Sequence, residues 1–397
     1  MNKDRVATSR AAPFPREGLG SLIIRFLRVS AVVIITGMAL SGCISSTSRD
    51  NTGGYNLARV ADMDRLAGEL AGNRAVLVGE THTRVDHHDL QLAVIDALRR
   101  SGADLAIGVE WFQHSFQDDV DDFLAGRIDE AEMLHRTGYF ERWRYDYRLY
   151  QPIVRYARDN GIPLIALNAP KELTDAVSRR GVDGVPRSVR AQLPESYDRT
   201  NSAYEASLRQ VFEAHDLPAD DDRFANFVDV QLTWDETMAE QAARYLDANP
   251  GKTLVLLAGN GHVIYGHGIP SRLERRLDGT VSTVLAAELA ESEPGSADYF
   301  VVTRAEELPP SGLLGIFLRR DDQGLVVDAL SEDSGAREAG LASGDRLVRV
   351  DGRDVPHLAA LKLALMTHES GASVPVEYAR ADPDGLTTRY RVDVTLR

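Results

Sequence analysis

The sequence predicts an α/β protein with a largely parallel sheet flanked by helices and a helical insertion, followed by a small, mostly β domain. From residue 55 to about residue 305, short apolar runs alternate with longer amphipathic ones, as in domains built on a parallel sheet. The stretch 186–249 has helical periodicity and contains no strand candidate. After residue 311 the runs become short and alternating, which is typical of a β unit. A chain of 397 residues is long enough for two or three domains.

A basic segment and a short apolar run precede these domains. Several Lys and Arg residues stand before the uncharged run 29–40, which leads into Leu40-Ser-Gly-Cys43. The run is shorter than the roughly 20 apolar residues that span a bilayer, and it is typical of a cleaved export signal. Small residues just before a cysteine resemble the bacterial lipobox. We therefore predict that 1–43 is a lipoprotein signal peptide, that Cys43 carries the lipid and that 44–54 is a flexible tether. The alternative is an uncleaved anchor or an ordinary signal with a chance cysteine.

The single cysteine and the acidic charge limit the kinds of site and partner. Cys43 is the only cysteine, so the chain forms no intramolecular disulfide and no cysteine-based zinc or iron–sulfur site. The formal net charge of -15 argues against nucleic acid as a partner. Ile44, in place of an acidic residue, follows the cysteine. We expect a protein of the cell envelope, anchored by its lipid to the outer membrane and facing the periplasm.

Four short apolar runs are the main strand candidates of the α/β region. They are 75–78, 105–109, 163–167 and 254–258, each bounded by Gly, Pro or polar residues. Weaker strand candidates are 282–285 and 299–303. Apolar residues at three- and four-residue spacings predict helices over 89–100, 150–159 and much of 186–249. We interpret the last region as a helical insertion that covers one end of the sheet.

Polar residues follow each of the four main strand candidates. They are Gly79-Glu80-Thr81-His82, Glu110, Asn168 and Gly259-Asn260-Gly261-His262. Because the carboxyl ends of parallel strands meet at one edge of an open sheet, these residues should share a crevice. The glycine that begins both G-x-x-H turns permits a tight turn or a close backbone approach, which leaves the imidazole directed into that crevice.

Two kinds of site are compatible with this set of residues. His82, Glu110 and His262 can hold a divalent metal, with Glu80 as general base toward a metal-bound water, as in a metal-dependent hydrolase. The same crevice can instead bind a planar iron cofactor through His or Tyr, with His82, Asn168, His262 and Tyr265 as the binding residues. Aromatic or imidazole rings for such a site are Trp111, Phe112, Tyr139, Trp143, Tyr145, Tyr147 and His267.

Structural roles compete with both kinds of site. A histidine after a strand is often a satisfied structural residue or a helix cap. The adjacent pair His87 and His88 is expected to begin a solvated helix, and two consecutive residues point to different faces, so a shared metal is not expected there. The tyrosines of 139–147 are equally typical of a buried aromatic cluster.

Residues 55 to about 304 resemble the ChaN family of haem-binding uptake lipoproteins, within the Tiki-like superfamily. Besides the two G-x-x-H turns, the resemblance rests on Gly108-Val-Glu110, Gly161-Ile-Pro163, Asn168-Ala-Pro170, Trp234-Asp-Glu-Thr-Met-Ala239 and Gly268-Ile-Pro270. It implies a haem-binding lipoprotein linked to iron acquisition, a homodimer around stacked haems, and an axial tyrosine, for which Tyr265 is our candidate. Related members of the superfamily resemble metal-dependent peptidases that use the G-x-x-H turns, so the metal hypothesis stays open.

A second unit, over 311–397, follows the polar and proline-bearing stretch 306–310. Its strand candidates are 314–318, 325–330, 346–350, 373–378 and 390–396, with a helix over 358–367. This unit resembles a PDZ domain, because Gly312-Leu-Leu-Gly315-Ile is similar to the loop that receives a peptide carboxylate. The resemblance implies peptide binding at Leu313, Leu314, Gly315 and Ile316, with a protein C-terminus or an extended segment as partner.

Two further stretches bear on the PDZ resemblance. Residues 339–345 and Val350-Asp-Gly352 strengthen it, whereas Ser334-Gly335-Ala336 departs from the Ser-Pro-Ala that such domains often have. The alternative is a β module that packs on its neighbour without binding a peptide. For the whole chain we predict an envelope lipoprotein that binds haem and recruits protein through its PDZ domain. A metal-dependent hydrolase, possibly a peptidase, is the main alternative, and a scaffold with an inactive site is the other.

Overall fold

A computed structural model describes residues 55–214, 221–290 and 295–397. The predicted signal peptide, the lipidated Cys43 and the tether lie outside the described residues. Within the described ranges, no helix combines the length and the apolar character that crossing a bilayer requires.

Seven parallel strands form the sheet of the first domain. Their bounds are β1 (Tyr55–Asn56), β2 (Ala75–Glu80), β3 (Leu105–Gln113), β4 (Leu164–Asn168), β5 (Thr253–Gly259), β6 (Val281–Ala286) and β7 (Tyr299–Val302). The order across the sheet is β1-β7-β6-β2-β5-β3-β4, and the neighbouring pairs are parallel. The predicted parallel sheet is confirmed, and its order places β2, β5 and β3 side by side.

Helices cover both faces of this sheet. Before the insertion they are α1 (Val60–Leu70), α2 (Val85–Arg100), α3 (Gln117–Leu124), α4 (Glu130–Arg136), α5 (Tyr139–Arg142) and α6 (Tyr147–Asp159). Then come α7 (Lys171–Arg180), α8 (Arg187–Arg190), α9 (Ser202–Glu213), α10 (Asp221–Ala248), α11 (Ile269–Glu274) and α12 (Ala287–Ala290). Because α10 packs against β4, β5, α7 and α11, the helical insertion covers this part of the sheet.

The side-chain alternation of the strands divides the core into two layers. Val76 and Val78 of β2 face one layer, which α1, α2 and α6 complete. Ala75 and Leu77 face the other layer, which includes apolar residues of α10 and α11. Since both faces of β2 are buried, residues 75–78 are all apolar and do not alternate with polar residues, as expected for a central parallel strand.

The prediction that His87 and His88 begin a solvated helix is wrong, because both side chains are buried in the first turns of α2. Nδ1 of His87 accepts a hydrogen bond from the backbone N–H of Thr81 at 2.9 Å, and its Nε2 lies 3.0 Å from Oε1 of Glu288. Helix α2 begins at Val85, earlier than the predicted residue 89, and its first turn lies against the turn that follows β2. The helix start is therefore part of the site's surroundings.

The second domain is an antiparallel sheet with two helices. Its elements are β8 (Ile316–Asp321), β9 (Gly324–Leu330), α13 (Gly335–Glu338), β10 (Arg346–Val350), β11 (Arg353–Asp354), α14 (Leu358–Leu365), β12 (Ser373–Ala381) and β13 (Thr387–Thr395). The strand order is β13-β12-β10-β9-β8, with β11 paired to β10. Strand β8 therefore has a free edge among the described residues. This is the mostly β unit that the sequence predicts.

Helix α14 joins the cores of the two domains. Its Leu361 and Leu365 belong to the core of the second domain, whereas Ala359 and Leu363 pack into the core of the first. The first domain meets this helix through α4 and α5. On the linker, the backbone carbonyl of Pro309 accepts a hydrogen bond from Arg148 Nη2 at 2.9 Å.

Candidate functional site

The carboxyl ends of β2, β3 and β5 bring four of the predicted site residues together. Glu80 ends β2, Glu110 lies in β3, and His82 and His262 follow β2 and β5. All four side chains are buried, with 2 to 8% of their surface exposed. Four ionisable side chains therefore lie where water has little access. Each charge there needs a nearby group of opposite charge or a hydrogen-bond partner.

Glu80 and His82 form a buried ion pair. Nδ1 of His82 lies 2.5 Å from Oε1 of Glu80, and Nε2 of His88 lies 3.6 Å from the other carboxylate oxygen. Burial alone would raise the pKa of Glu80, but the charges of His82 and His88 outweigh it, and this pKa lies below its ordinary value. Burial likewise opposes the charge on His82, yet Glu80 and Glu110 raise its pKa. Glu80 therefore orients the ring, and Nε2 of His82 becomes available to a metal or to iron once the ring has lost a proton.

His262 is held by a second carboxylate, which the sequence analysis missed. Nδ1 of His262 lies 2.6 Å from Oδ1 of Asp235, and the hydroxyl of Tyr204 donates to Oδ2 of Asp235 at 2.5 Å. Burial lowers the pKa of His262, but Asp235 and Glu110 outweigh it and raise this pKa to about 9. Asp235 lies on α10, inside the Trp234–Ala239 landmark. Asp235 does not follow a predicted strand, and it reaches the site because α10 packs against the sheet.

Glu110 lies between the two histidines. Its Oε2 accepts a hydrogen bond from the backbone N–H of Gly259 at 2.7 Å, and its Oε1 lies 3.5 Å from Nε2 of His262. The pairing of β3 with β4 shifts in register between Val109 and Gln113, so Glu110 sits in a bulge and not in a loop after the strand. Asn168 donates from Nδ2 to the backbone carbonyl of Glu110 at 2.9 Å and thereby supports this bulge.

The glycines of both G-x-x-H turns are needed for close approach. A Cβ on Gly259 would lie 2.9 Å from Cε1 of His82, and one on Gly79 would lie 2.5 Å from Oδ1 of Asn260. Neither glycine is among the residues with positive φ. We predicted that these glycines permit either a tight turn or a close approach of the backbone. The structure supports the close approach of the backbone to neighbouring side chains.

The donor set fits a small divalent cation. Among the described residues, Glu80, His82 and Glu110 each offer a ligand atom within 4.8 Å of the others. His262, which was predicted as a ligand together with His82 and Glu110, is not in that group, and its Nε2 lies 3.5 Å from Oε1 of Glu110. Carboxylate oxygens with imidazole nitrogens suit several divalent metals.

Aromatic rings cover His82 from the side of α5 and α6. The ring centroids of Trp143 and Tyr145 lie 4.9 and 4.5 Å from that of His82. Arg144, between them, has a φ of 72°, a left-handed conformation that is uncommon for a residue with a side chain. The other aromatic candidates of this region, Trp111, Phe112, Tyr139 and Tyr147, are buried in the core.

The residues around His82 would also be compatible with a flat iron cofactor. The carboxylate on Nδ1 of His82 leaves Nε2 for iron, and the neighbouring rings of Trp143 and Tyr145 offer apolar surface to a porphyrin. Tyr265 lies on the turn after His262, with a φ of 59°, and its ring centroid is 5.5 Å from that of His267. The ring of His267 lies 6.1 Å from that of Tyr204, so this turn packs beside the Asp235 side of the site.

Asp86, His87 and Glu288 form a second group of potential ligands. Arg84 already supplies the positive charge there, with Nη2 at 2.7 Å from Asp86 Oδ2 and Nη1 at 2.5 Å from Glu288 Oε1. We interpret this group as an ion-pair network that supports the start of α2.

The loop of the second domain that we predict to bind a peptide contains a glycine in a left-handed conformation. Gly315 has a φ of 73°, and a Cβ there would lie 2.6 Å from Cβ of Ser334. Within the described residues, no hydrogen bond engages the backbone N–H groups of Leu314 and Gly315. The departure at Gly335 also has a physical reason, because a Cβ there would lie 1.7 Å from the carbonyl oxygen of Thr395.

Two family models match the chain. The model described as haem-binding uptake, Tiki superfamily, ChaN matches residues 66–273, and a PDZ domain model matches residues 312–394. One curated relative, Protein RETICULATA-RELATED 5, chloroplastic, of Arabidopsis thaliana, is 26% identical over an alignment of 247 residues that covers 56% of this chain and 32% of that protein. The chain thus spans about a third of the length of this relative.

Solved structures resemble the first domain. One described as cofacial heme binding to ChaN of Campylobacter jejuni has a TM-score of 0.50 at 16% identity, over 61% of this chain and 91% of that one. A mutant of the erythromycin esterase EreC in its open conformation has a TM-score of 0.35 at 15% identity, over 70% and 83% of the two chains, which is too distant to support an argument. Because the first family model spans more than half of the 397 residues, the chain belongs to the ChaN haem-binding uptake family of the Tiki superfamily and carries a PDZ domain.

Proposed function

We propose that this protein is a lipid-anchored envelope protein that binds haem at the carboxyl ends of β2, β3 and β5 and serves iron uptake or haem handling. The observation that carries the proposal is the environment of His82, where Glu80 holds Nδ1 and the rings of Trp143 and Tyr145 lie against the imidazole. Membership of a haem-binding family supports it. Haem, if bound, would supply an iron that a side chain such as His82 could ligate. The PDZ domain recruits an extended protein segment.

The residues of this chain have distinct parts in such a site. Glu80 keeps the His82 ring in one orientation, and the two aromatic side chains exclude water from it. Asp235 and Glu110 hold His262 in its protonated form. A protonated imidazole is a hydrogen-bond donor at both nitrogens, and those of His262 already face Asp235 and Glu110, so His262 can bind a metal only after it loses a proton.

Titration with haemin tests the proposal. The full chain carrying Cys43→Ser, purified in detergent, should develop a sharp Soret band at a fixed stoichiometry. His82→Ala should weaken haemin binding at least about tenfold, as loss of a ligand or of its support does at metal centres. His368→Ala, which changes a histidine of the PDZ domain, is the matched control and should leave the titration unchanged. A featureless titration, or equal binding by the His82→Ala protein, would refute haem binding at this place.

A metal-dependent hydrolase is the second candidate, and the Glu80–His82–Glu110 group favours it. In this hypothesis His82 and Glu110 hold a divalent metal, and His262 stands beside Glu110. The site is then expected to act on peptides or esters delivered by the PDZ domain. Glu110→Gln separates the two candidates, because it should remove bound metal and activity yet leave the Soret band. Metal content that Glu110→Gln and His262→Ala leave unchanged would exclude the hydrolase.

The lipid anchor has its own test, since it concerns residues outside the described ranges. Cells fed labelled palmitate should label the wild-type protein, and Cys43→Ser should accumulate as an unprocessed precursor without label. Fractionation should find the wild-type protein in the outer membrane, protected from protease in intact cells. A labelled Cys43→Ser protein would contradict lipidation at this cysteine.

A further inference from the structure

The PDZ domain has a groove whose two ends differ in character. At one end lie the open N–H groups of Leu314 and Gly315, beside Leu313, which is 53% exposed. Strand β8 runs from there along the free edge of the sheet. Ile316 and Leu318 of β8 pack at the margin of the core that contains Leu361 and Leu365 of α14. The floor of the groove between β8 and α14 is therefore apolar near the loop.

The far end of the groove carries positive charge. Because side chains alternate along a strand, Arg320 faces the same side of β8 as Ile316 and Leu318. Arg320 is exposed, it lies within electrostatic reach of His357 at the start of α14, and no carboxylate among the described residues pairs with it. Its guanidinium group is therefore available to pair with an acidic side chain of a bound segment.

Helix α4 of the α/β domain contacts His357 near this far end. The imidazole of His135 on α4 stacks on that of His357, with ring centroids 4.2 Å apart and planes 8° from parallel. Oε2 of Glu132 lies 3.5 Å from Nε2 of His357, while Oε1 of Glu132 accepts from Arg136 at 2.7 Å. Asp129, the other acidic residue near His357, caps α4 by accepting from the N–H of Glu132. Glu132 is thus paired with Arg136 and His357, and Asp129 accepts the N–H of Glu132, whereas no carboxylate of the described residues pairs with Arg320.

We propose that this groove binds the C-terminal segment of a protein that ends in an apolar residue and carries an acidic residue about four positions before its end. The proposal rests on the PDZ recruitment stated above and adds the chemistry of the partner. A segment added antiparallel to β8 with its carboxylate at Gly315 places its last side chain beside Ile316. Its side chain about four positions upstream then lies beside Arg320, because the antiparallel register advances one residue on each strand.

Peptide binding to the full chain carrying Cys43→Ser tests the proposal by fluorescence anisotropy. Three labelled decapeptides end in leucine and differ only in Glu, Gln or Lys about four positions before the end, and a fourth is the Glu peptide with an amidated terminus. The Glu peptide should bind about fivefold more tightly than the Lys peptide, the upper range for a partly exposed ion pair. The preference should shrink at high salt. The amidated peptide should bind weakly.

Two variants of Arg320 test whether this residue causes the preference for the Glu peptide. Arg320→Glu should reverse the order of the Glu and Lys peptides, and Arg320→Gln should abolish the difference. Arg389→Glu, an exposed change on β13 at the opposite edge of the same sheet, is the matched control and should leave the order unchanged.

The possible results distinguish the charge preference from peptide recruitment by the PDZ domain, on which the charge preference rests. Equal affinity for the Glu and Lys peptides, with tight binding of both, would overturn the charge preference alone. Amidated peptides that bind as well as free acids would overturn C-terminal capture, and no binding of any peptide would overturn recruitment as well.

Discussion

Asp235 on α10 and His262 after β5 are joined by a contact of 2.6 Å between Oδ1 and Nδ1, which ties the helical insertion to the end of the central sheet. This contact predicts a pH dependence of stability. The folded pKa of His262, about 9, lies above its ordinary value of 6.5, so protonation stabilises the folded state. That stability is present below about pH 6.5 and is lost as the pH rises through about 9. It amounts to at most about 3 kcal/mol.

Asp235→Asn should remove most of this dependence. Urea unfolding of metal-free protein at pH 6.5 and at about pH 9 measures the change in free energy of unfolding directly. Asp247→Asn, an exposed change on the same helix, is the control and should keep the wild-type slope. An Asp235→Asn protein with an unchanged slope would mean that the contact does not set the pKa of His262.

Two glycines of one turn should respond differently to the same substitution. Gly259→Ala places a Cβ at 2.9 Å from His82 Cε1 and must displace that ring, with a loss of about 1–3 kcal/mol of stability. Gly261→Ala meets nothing within 4 Å and is expected to be nearly neutral. Thermal melting and haemin titration of the two proteins provide the comparison. Similar behaviour of both variants would contradict the close approach of Gly259 to the site.

Gln117 is expected to protect the free edge of the parallel sheet. Its side-chain amide donates to the carbonyl of Leu164 at 2.9 Å and accepts from the N–H of Ala166 at 2.7 Å, as a neighbouring strand would. Gln117→Ala exposes this edge of β4 and should cost about 1–3 kcal/mol and increase self-association. Light scattering against concentration measures this association, with Gln210→Ala, an exposed change on α9, as control. Equal scattering of the two proteins would argue against edge protection.

Leu363 should determine how firmly the PDZ domain is docked. It is buried in the core of the α/β domain although it belongs to α14, so Leu363→Ala should cost about 2–5 kcal/mol. Its neighbour Lys362 is exposed, and Lys362→Ala should have little effect. We expect Leu363→Ala to split a single denaturant transition into two, measured by circular dichroism and tryptophan fluorescence. A single, unshifted transition would show that the docking contributes little.

Local sequence patterns were sufficient for the framework of both domains. The apolar runs predicted the strands because a strand buried on both faces needs apolar residues throughout, and the weaker candidates 282–285 and 299–303 also lie in strands. The gathering of Glu80, His82, Glu110 and His262 followed from the rule that parallel strands end at one edge. Strand bounds were less accurate. Strand β3 continues through Glu110 to Gln113, because a bulge keeps the chain paired with β4.

Tertiary packing decided the partners and roles within the site. Asp235 reaches His262 only because α10 packs across β4 and β5, and a contact between residues 27 positions apart leaves no local pattern. His87 and His88 are buried because the start of α2 lies against the turn after β2, whereas their polarity had indicated a solvated helix. The sequence by itself determined which chemical groups are available, with one cysteine and two G-x-x-H turns. Only the folded structure decided which carboxylate holds which imidazole, because that depends on long-range packing and local periodicity does not record it.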